Sequence, residues 1–267
     1  MRWYFLFLVL LCFVASGCGL IRIETLYTPT PEITETPIPP TQTPVPTETI
    51  VWFPPTSTPK PLIKPTPYKT INMLPLFGET LFSDDFSSSE NWQTFRSPNG
   101  NAVISNNEFT FAISEGEGDL VSYASIPHYD RYFLQADINL SICSYYRDTY
   151  SIYFRVRDSE NYYRWVFNCQ GETRVERLYK GKQTILQDWA PNGAVRKSAP
   201  QKFTIGIESS GTHFRFFGNN GLLFECEDVY DYLPGGGFGF GAFSAGRSPL
   251  SVSFSRFLLQ SILSENN

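Results

Sequence analysis

A tract that cannot pack divides this chain in two. Between Thr28 and Pro67 the sequence alternates Thr-Pro, Thr-Glu-Thr-Pro, Pro-Pro and Lys-Pro, and it holds thirteen of the twenty prolines. Proline fixes φ and lacks the N–H that a helix or a sheet ladder would use. The favoured state is therefore solvated polyproline II, reaching roughly 3 Å per residue. Forty such residues extend over on the order of 100 Å. The one apolar interruption, Ile50-Val51-Trp52-Phe53, reads as a hydrophobic interlude within the linker. The expected organisation is a disordered segment over residues 18–77, one folded domain over 78–262, and a short tail over 263–267.

Upstream of the tract, the chain opens with a cationic residue, Arg2. An apolar run from Trp3 to Val14 follows, then Ala15, Ser16 and Gly17 directly before Cys18. This is the order of an export signal. About a dozen apolar residues fall short of the roughly 20 needed to cross a bilayer as a helix, so cleavage is expected rather than retention. Ala15-Ser16-Gly17-Cys18 resembles the lipobox of bacterial lipoproteins, although Ala15 stands where leucine is commonest. The resemblance implies that residues 1–17 are removed and that the Cys18 thiol carries diacylglycerol. The product would be held on the extracytoplasmic side of a cell membrane by acyl chains, each contributing about 0.8 kcal/mol per buried CH₂.

Charge narrows the partners. The 21 Lys and Arg against 26 Asp and Glu, with no basic run, argue against nucleic acid. From Gly78 to about Gln260 the chain turns to short alternating segments separated by Gly, Asn and Asp, and most of the Tyr and Phe lie there. Strands are expected at 131–142, 150–157, 162–168, 173–179, 203–208, 213–217, 222–225, 238–243 and 250–258, with no long helix. Turn residues at 158–161, 170–171, 181 and 219–221 make the middle of the domain an antiparallel meander. The fold class is all-β, a two-sheet antiparallel sandwich.

The run beginning SIYFRVRDSENYYRWVFN at Ser151, followed by KFTIGIESSGTHFRFFGNNGLLFE and GGGFGFGAFSAG, resembles the concanavalin A-like lectin/glucanase (jelly-roll) superfamily. Within it, the run is similar to the 3-keto-disaccharide hydrolase-like domains. Asp84-Asp85-Phe86 with Trp92 looks like that family's opening strand. The resemblance implies a jelly roll with a ligand surface on one sheet. Ser255-Arg256 stands where relatives often carry acids, which leaves Asp84 and Asp85 without partners for a calcium site shared by the first and last strands.

If 158–161 is a four-residue turn, Arg157 sits opposite Tyr162, Arg155 opposite Arg164 and Tyr153 opposite Val166. One face then carries Ile152, Phe154, Val156, Tyr163, Trp165 and Phe167, the core. The other gathers Tyr153, Arg155, Arg157, Tyr162 and Arg164, the candidate carbohydrate-binding residues. Aromatic planes can stack on sugar rings, and guanidinium forks can hold hydroxyls or carboxylates. The same pairing brings Cys169 near the loop returning from Cys143, so a disulfide between these two is sterically reasonable, with Cys226 left as a buried free thiol.

No catalytic or metal residue is assigned, and no cofactor is implied. Glu115, Glu117 and Asp119 alternate as three carboxylates on a strand face would, but Gly116 and Gly118 favour a loop. Glu225, Glu227 and Asp228 fall at a strand end. His128 and His213 lack acid or cysteine neighbours at ligand spacing, and Gly235-Gly236-Gly237 precedes a strand rather than a helix. The expected function is a membrane-anchored surface lipoprotein displaying a non-catalytic carbohydrate-recognition module, its partner a glycan or cell-envelope polysaccharide. A glycoside hydrolase or lyase of the same superfamily, and a structural module binding another envelope protein, are the alternatives.

Overall fold

In a computed structural model, the chain divides into two units, Met1–Pro65 and Thr66–Asn267. The structure describes residues 74–263 other than Glu115 and Asp231, all in the second unit. The signal, Cys18, the Thr/Pro tract and all but the first residue of the tail expected at 263–267 lie outside the described residues.

The described residues form two antiparallel sheets. The larger sheet contains β1 (Phe77–Asp84), β2 (Phe95–Ser97), β3 (Gly100–Ser105), β4 (Glu108–Ile113), β6 (Tyr132–Ile142), β11 (Gln201–Ser210), β12 (His213–Gly218), β13 (Gly221–Glu227) and β15 (Leu250–Ile262). Its order is β13-β12-β11-β6-β15-β4-β3-β2, with β1 also paired to β15. The smaller sheet contains β5 (Glu117–Tyr123), β7 (Thr149–Asp158), β8 (Asn161–Asn168), β9 (Glu172–Tyr179), β10 (Lys182–Pro191) and β14 (Gly237–Ala245), in the order β10-β9-β8-β7-β14-β5.

Each sheet turns one alternate set of side chains inward, and the inner layer is strongly aromatic. Phe154, Tyr163, Trp165 and Phe167 of the smaller sheet meet Phe203, Phe214 and Phe216 of the larger, and Phe240 stacks on Phe254 with ring centroids 3.8 Å apart. Burying rings of this size supplies most of what holds the two layers together. Strands β7 to β10 run as the expected meander. The β12–β13 turn places Asn219 and Asn220 at φ 50° and 67°, the two left-handed residues of a hairpin whose twist matches its strands.

Two local readings change. The segment around Gly118 is strand rather than loop, because β5 hydrogen-bonds along β14 from Glu117↔Ala245 to Tyr123↔Gly239. A Cβ at Gly118 would lie 2.9 Å from the Asn99 carbonyl oxygen, so the glycine there serves close packing. Strand β10 carried no hydrophobic alternation because it is a sheet edge in which no residue is fully buried.

The Asp84 carboxylate brackets the loop that follows β1. One oxygen accepts the Phe86 N–H at 2.7 Å; the other accepts the Asn91 amide at 3.1 Å and the Trp92 indole N–H at 3.0 Å. This bracket seats Phe86 and Trp92 in the core, which accounts for the Asp-Asp-Phe…Trp pattern without a cation. Among the described residues, no group of three or more His, Cys, Asp or Glu is placed to hold a metal ion.

Candidate functional site

The outer face of the smaller sheet is built around β14, where Gly239 and Gly241 alternate with core phenylalanines. A Cβ at Gly239 would lie 2.7 Å from the Tyr123 ring, and one at Gly241 would lie 2.9 Å from the Tyr153 ring. The two glycines therefore leave a shallow bed into which tyrosines from the flanking strands lean. Tyr153 packs edge-on against Tyr123, with ring centroids 5.8 Å apart, and against Tyr162 at 5.0 Å. Tyr162 keeps part of its ring open, while Tyr153 is nearly covered at 3% exposed. Desolvation pushes all three hydroxyls above the ordinary tyrosine value, so they remain donors at any physiological pH.

Beside the tyrosines, Arg164 of β8 donates from Nε to Glu176 Oε2 at 2.8 Å and from a terminal nitrogen to the Tyr153 hydroxyl at 3.5 Å. Arg174 of β9 reaches the other oxygen of Glu176 and lies over the Trp189 ring at 4.7 Å. One buried carboxylate thus fixes two guanidinium groups on the sheet surface. A groove of about 690 Å³ runs beyond them, lined in part by Asp119, Tyr146, Arg147, Asn168, Glu172 and Trp189. Partial desolvation raises the Asp119 carboxyl above its usual range, and the charge on Arg164 pulls it back in part.

Of the five expected binding residues, Tyr153, Tyr162 and Arg164 come together on this face. Arg155 does not. The expected pairing assumed a four-residue turn, whereas the observed turn pairs Asp158 with Asn161 and then slips, so that Tyr153 sits opposite Arg164 and Phe154 opposite Tyr163. Residues 155–157 face only Tyr162 across the ladder, which is a β-bulge, and Arg155 takes φ 49° within it. The bulge turns the Arg155 side chain into the interior, where it is fully buried. It donates to the Ser209 hydroxyl at 2.9 Å and to the carbonyls of Leu233 at 2.9 Å and Asp130 at 3.1 Å, and it lies over the Phe214 ring at 4.8 Å. Arg157 points out at the hairpin end, tied to the carbonyls of Pro234 and Gly235. Because the slip is two residues, the inward and outward alternation on either side of it survives.

Sequence reasoning missed Tyr123, Glu176, Arg174 and Trp189. They reach the face only through the β5–β14–β7 and β8–β9–β10 pairings. The alternating Gly239 and Gly241 beside bulky neighbours were the available signal.

The other acidic clusters are occupied. Asp228 is buried; it accepts the Tyr163 hydroxyl and receives Arg177 through both oxygens, each contact 2.7 Å long. Glu227 lies 3.3 Å from His213, and both are largely exposed. Cys143 and Cys169 form a disulfide with Cα atoms 5.3 Å apart, and Cys226 is a half-buried free thiol that burial pushes up to about 12. A cavity of about 740 Å³ on the larger sheet lies between Leu74–Leu76, the β12–β13 edge and Leu263, where the described chain begins and ends.

No protein-family model matches this chain, and no curated protein matches it. Solved structures do resemble it. A Bacillus subtilis protein of unknown function with a galectin-like fold aligns with TM-score 0.54 and 11% identity, over 72% of this chain and 100% of that one. LamA from Z. galactanivorans, in complex with laminaritriose and laminaritetraose, aligns with TM-score 0.53 and 10% identity, over 70% and 100%. The Bacillus licheniformis beta-glucanase aligns with TM-score 0.53 and 9% identity, over 70% and 99%. At such identities the likeness concerns the backbone alone: the described domain is an antiparallel two-sheet jelly-roll sandwich with the fold of the concanavalin A-like glucanases.

Proposed function

We propose that this chain is an exported lipoprotein, anchored through lipid on Cys18 and displaying a non-catalytic glycan-binding jelly roll at the far end of its Thr/Pro tract. The observation that carries the reading is the outer face of the smaller sheet, where Tyr123, Tyr153 and Tyr162 gather beside an Arg164 guanidinium held by Glu176. Flat rings with fixed polar donors are what sugar rings need from a binding surface. A solved neighbour of the same fold was captured with laminaritriose and laminaritetraose, which supports a glycan as partner. Resemblance to the 3-keto-disaccharide hydrolase-like domains belongs to the same reading.

The arrangement of acids favours binding over cleavage. Glycoside hydrolysis needs two carboxylates facing the sugar, one of them free to act as nucleophile or base. Here Glu176 is buried beneath two guanidinium groups, and Glu172 accepts the Asn168 amide at 2.9 Å. A hydrolase remains the second reading, favoured by Glu117 and Asp119 on one face of β5 and by the raised Asp119 carboxyl.

A glycan array on the full chain, compared with Tyr162→Ala, tests the binding reading. Retention by the wild type and at least about tenfold weaker retention by the variant are expected, with native folding in both. Equal retention would dismiss the tyrosine face, and release of reducing sugar would replace binding with hydrolysis. Retention of an envelope protein in place of any glycan would favour the structural alternative. Metabolic labelling with palmitate tests the anchor: label on the wild type and none on Cys18→Ser is the expected pair.

A further inference from the structure

The groove beyond the tyrosines carries a charge arrangement that a neutral sugar would leave unused. We infer that it is a subsite for an anionic sugar, one bearing a carboxylate or a sulfate ester. This inference rests on the glycan-binding reading above and specifies which glycans the face selects.

Three arginines from three separate elements line the groove: Arg147 from the loop after β6, Arg164 from β8 and Arg174 from β9. Two carboxylates, Asp119 and Glu172, line it with them. Beneath the surface, Glu176 is shared by Arg164 and Arg174, and the charge on Arg164 also acts on Asp119, so three arginines meet three carboxylates and any selectivity comes from where the charges stand rather than from a surplus. Arg174 Nε is buried and meets no acceptor among the described residues, while the side chain as a whole keeps 22% of its surface exposed and lines the groove. Arg147 is exposed and forms no ion pair with any described residue. Surface arginines without ion pairs are ordinary, but this one stands in the groove beside Tyr146, apart from the Arg164–Glu176–Arg174 set.

The position of Arg147 is fixed from behind. The preceding loop starts at the Cys143–Cys169 disulfide. It ends at buried Asp148, which accepts the Ala245 N–H at 2.9 Å and the Ser248 hydroxyl at 3.1 Å. Tyr146, beside Arg147, is 56% exposed and offers a ring on the same lip. A sugar ring resting on Tyr146 with its anionic group toward Arg147 and Arg174 would use both features. A guanidinium fork matches a carboxylate or sulfate in two parallel hydrogen bonds.

The test measures binding of detergent-solubilised full chain to four oligosaccharide sets: a polyuronate, the same polymer with its carboxyls reduced to alcohols, a sulfated galactan and a neutral glucan. The expected result is at least about tenfold tighter binding of the uronate set than of its reduced counterpart, or of the sulfated set than of the neutral ones, weakening as salt rises. Which charged set is preferred identifies the anionic group. Arg147→Gln, a change at an exposed position, should abolish that preference, with native folding verified by circular dichroism. Equal binding of charged and neutral sets, or a preference that survives Arg147→Gln, overturns the anionic subsite and leaves glycan binding standing. Failure of the wild type to bind any of the four sets overturns both.

Discussion

Arg155 shows how far a single residue can depart from the pattern it sits in. In sequence it occupies an outward position of an alternating strand. In the structure it is fully buried and its donors are spread over Ser209, Leu233 and Asp130, three segments distant in sequence. Replacing it with leucine would strip the buried Leu233 carbonyl of its arginine donor and remove the Arg155–Asp130 ion pair, while the Ser209 hydroxyl keeps the Asp130 carbonyl 3.4 Å away. Arg155→Leu is therefore expected to lower unfolding free energy by about 3 kcal/mol, measured by urea titration. Arg155→Lys should recover little of this, because one ammonium cannot reproduce a planar fork with three separated targets. A loss below about 1 kcal/mol would show that the buried network contributes little. The burial was illegible from sequence for a physical reason: residues 155–157 alternate as a regular strand would, and the partners that hold Arg155 inside, at Asp130, Ser209 and Leu233, all lie more than twenty residues away. Tyr162 and Arg164 were legible because their orientation depends only on local alternation.

At the scale of elements, legibility followed hydrogen-bonding distance along the chain. The β7–β8, β8–β9 and β12–β13 hairpins were visible through Asp158, Asn161, Gly171 and the Asn219-Asn220 pair, whose turn chemistry acts over a few residues. The sheet edges were not: β10 shows no burial contrast, and the strand from Glu117 was obscured by Gly118, which is small in order to pass the Asn99 carbonyl. The loop between β6 and β7 is the element on which the groove depends most, and the Cys143–Cys169 bridge ties its first residue to the residue after β8, a sequence separation of 26. Converting both cysteines to serine is expected to cost about 3 kcal/mol of stability in chemical denaturation, chiefly by releasing the unfolded chain. Under native conditions hydrogen exchange should quicken in residues 143–148 before it does elsewhere. Uniform protection in the doubly substituted chain would show that Asp148 alone holds the loop.

For the whole molecule, the aromatic interior sets a response to alkali. Burial pushes Tyr132 up to about 12, and it raises Tyr123, Tyr150, Tyr153, Tyr162 and Tyr163 as well, whereas the unfolded chain ionises its tyrosines near 10.0. Each raised group contributes stability that is complete below the unfolded value and is lost as pH climbs through the folded ones. The melting temperature should thus hold steady up to about pH 9 and fall steeply from about pH 10 upward. The tyrosinate absorbance of these six residues should appear with unfolding rather than ahead of it. Ionisation of these six in a still-folded domain would contradict the buried placement of their rings. One further property follows from the pairing of the first and last strands. Phe77 lies against Ile262, and the Leu263 N–H donates to the Leu76 carbonyl at 2.9 Å, so the domain's entrance and exit are neighbours on the sheet opposite the tyrosine face. A domain joined in this way is a cassette: spliced into a loop of an unrelated host by both ends at once, it would dock through a single short stem and still present its tyrosine face outward.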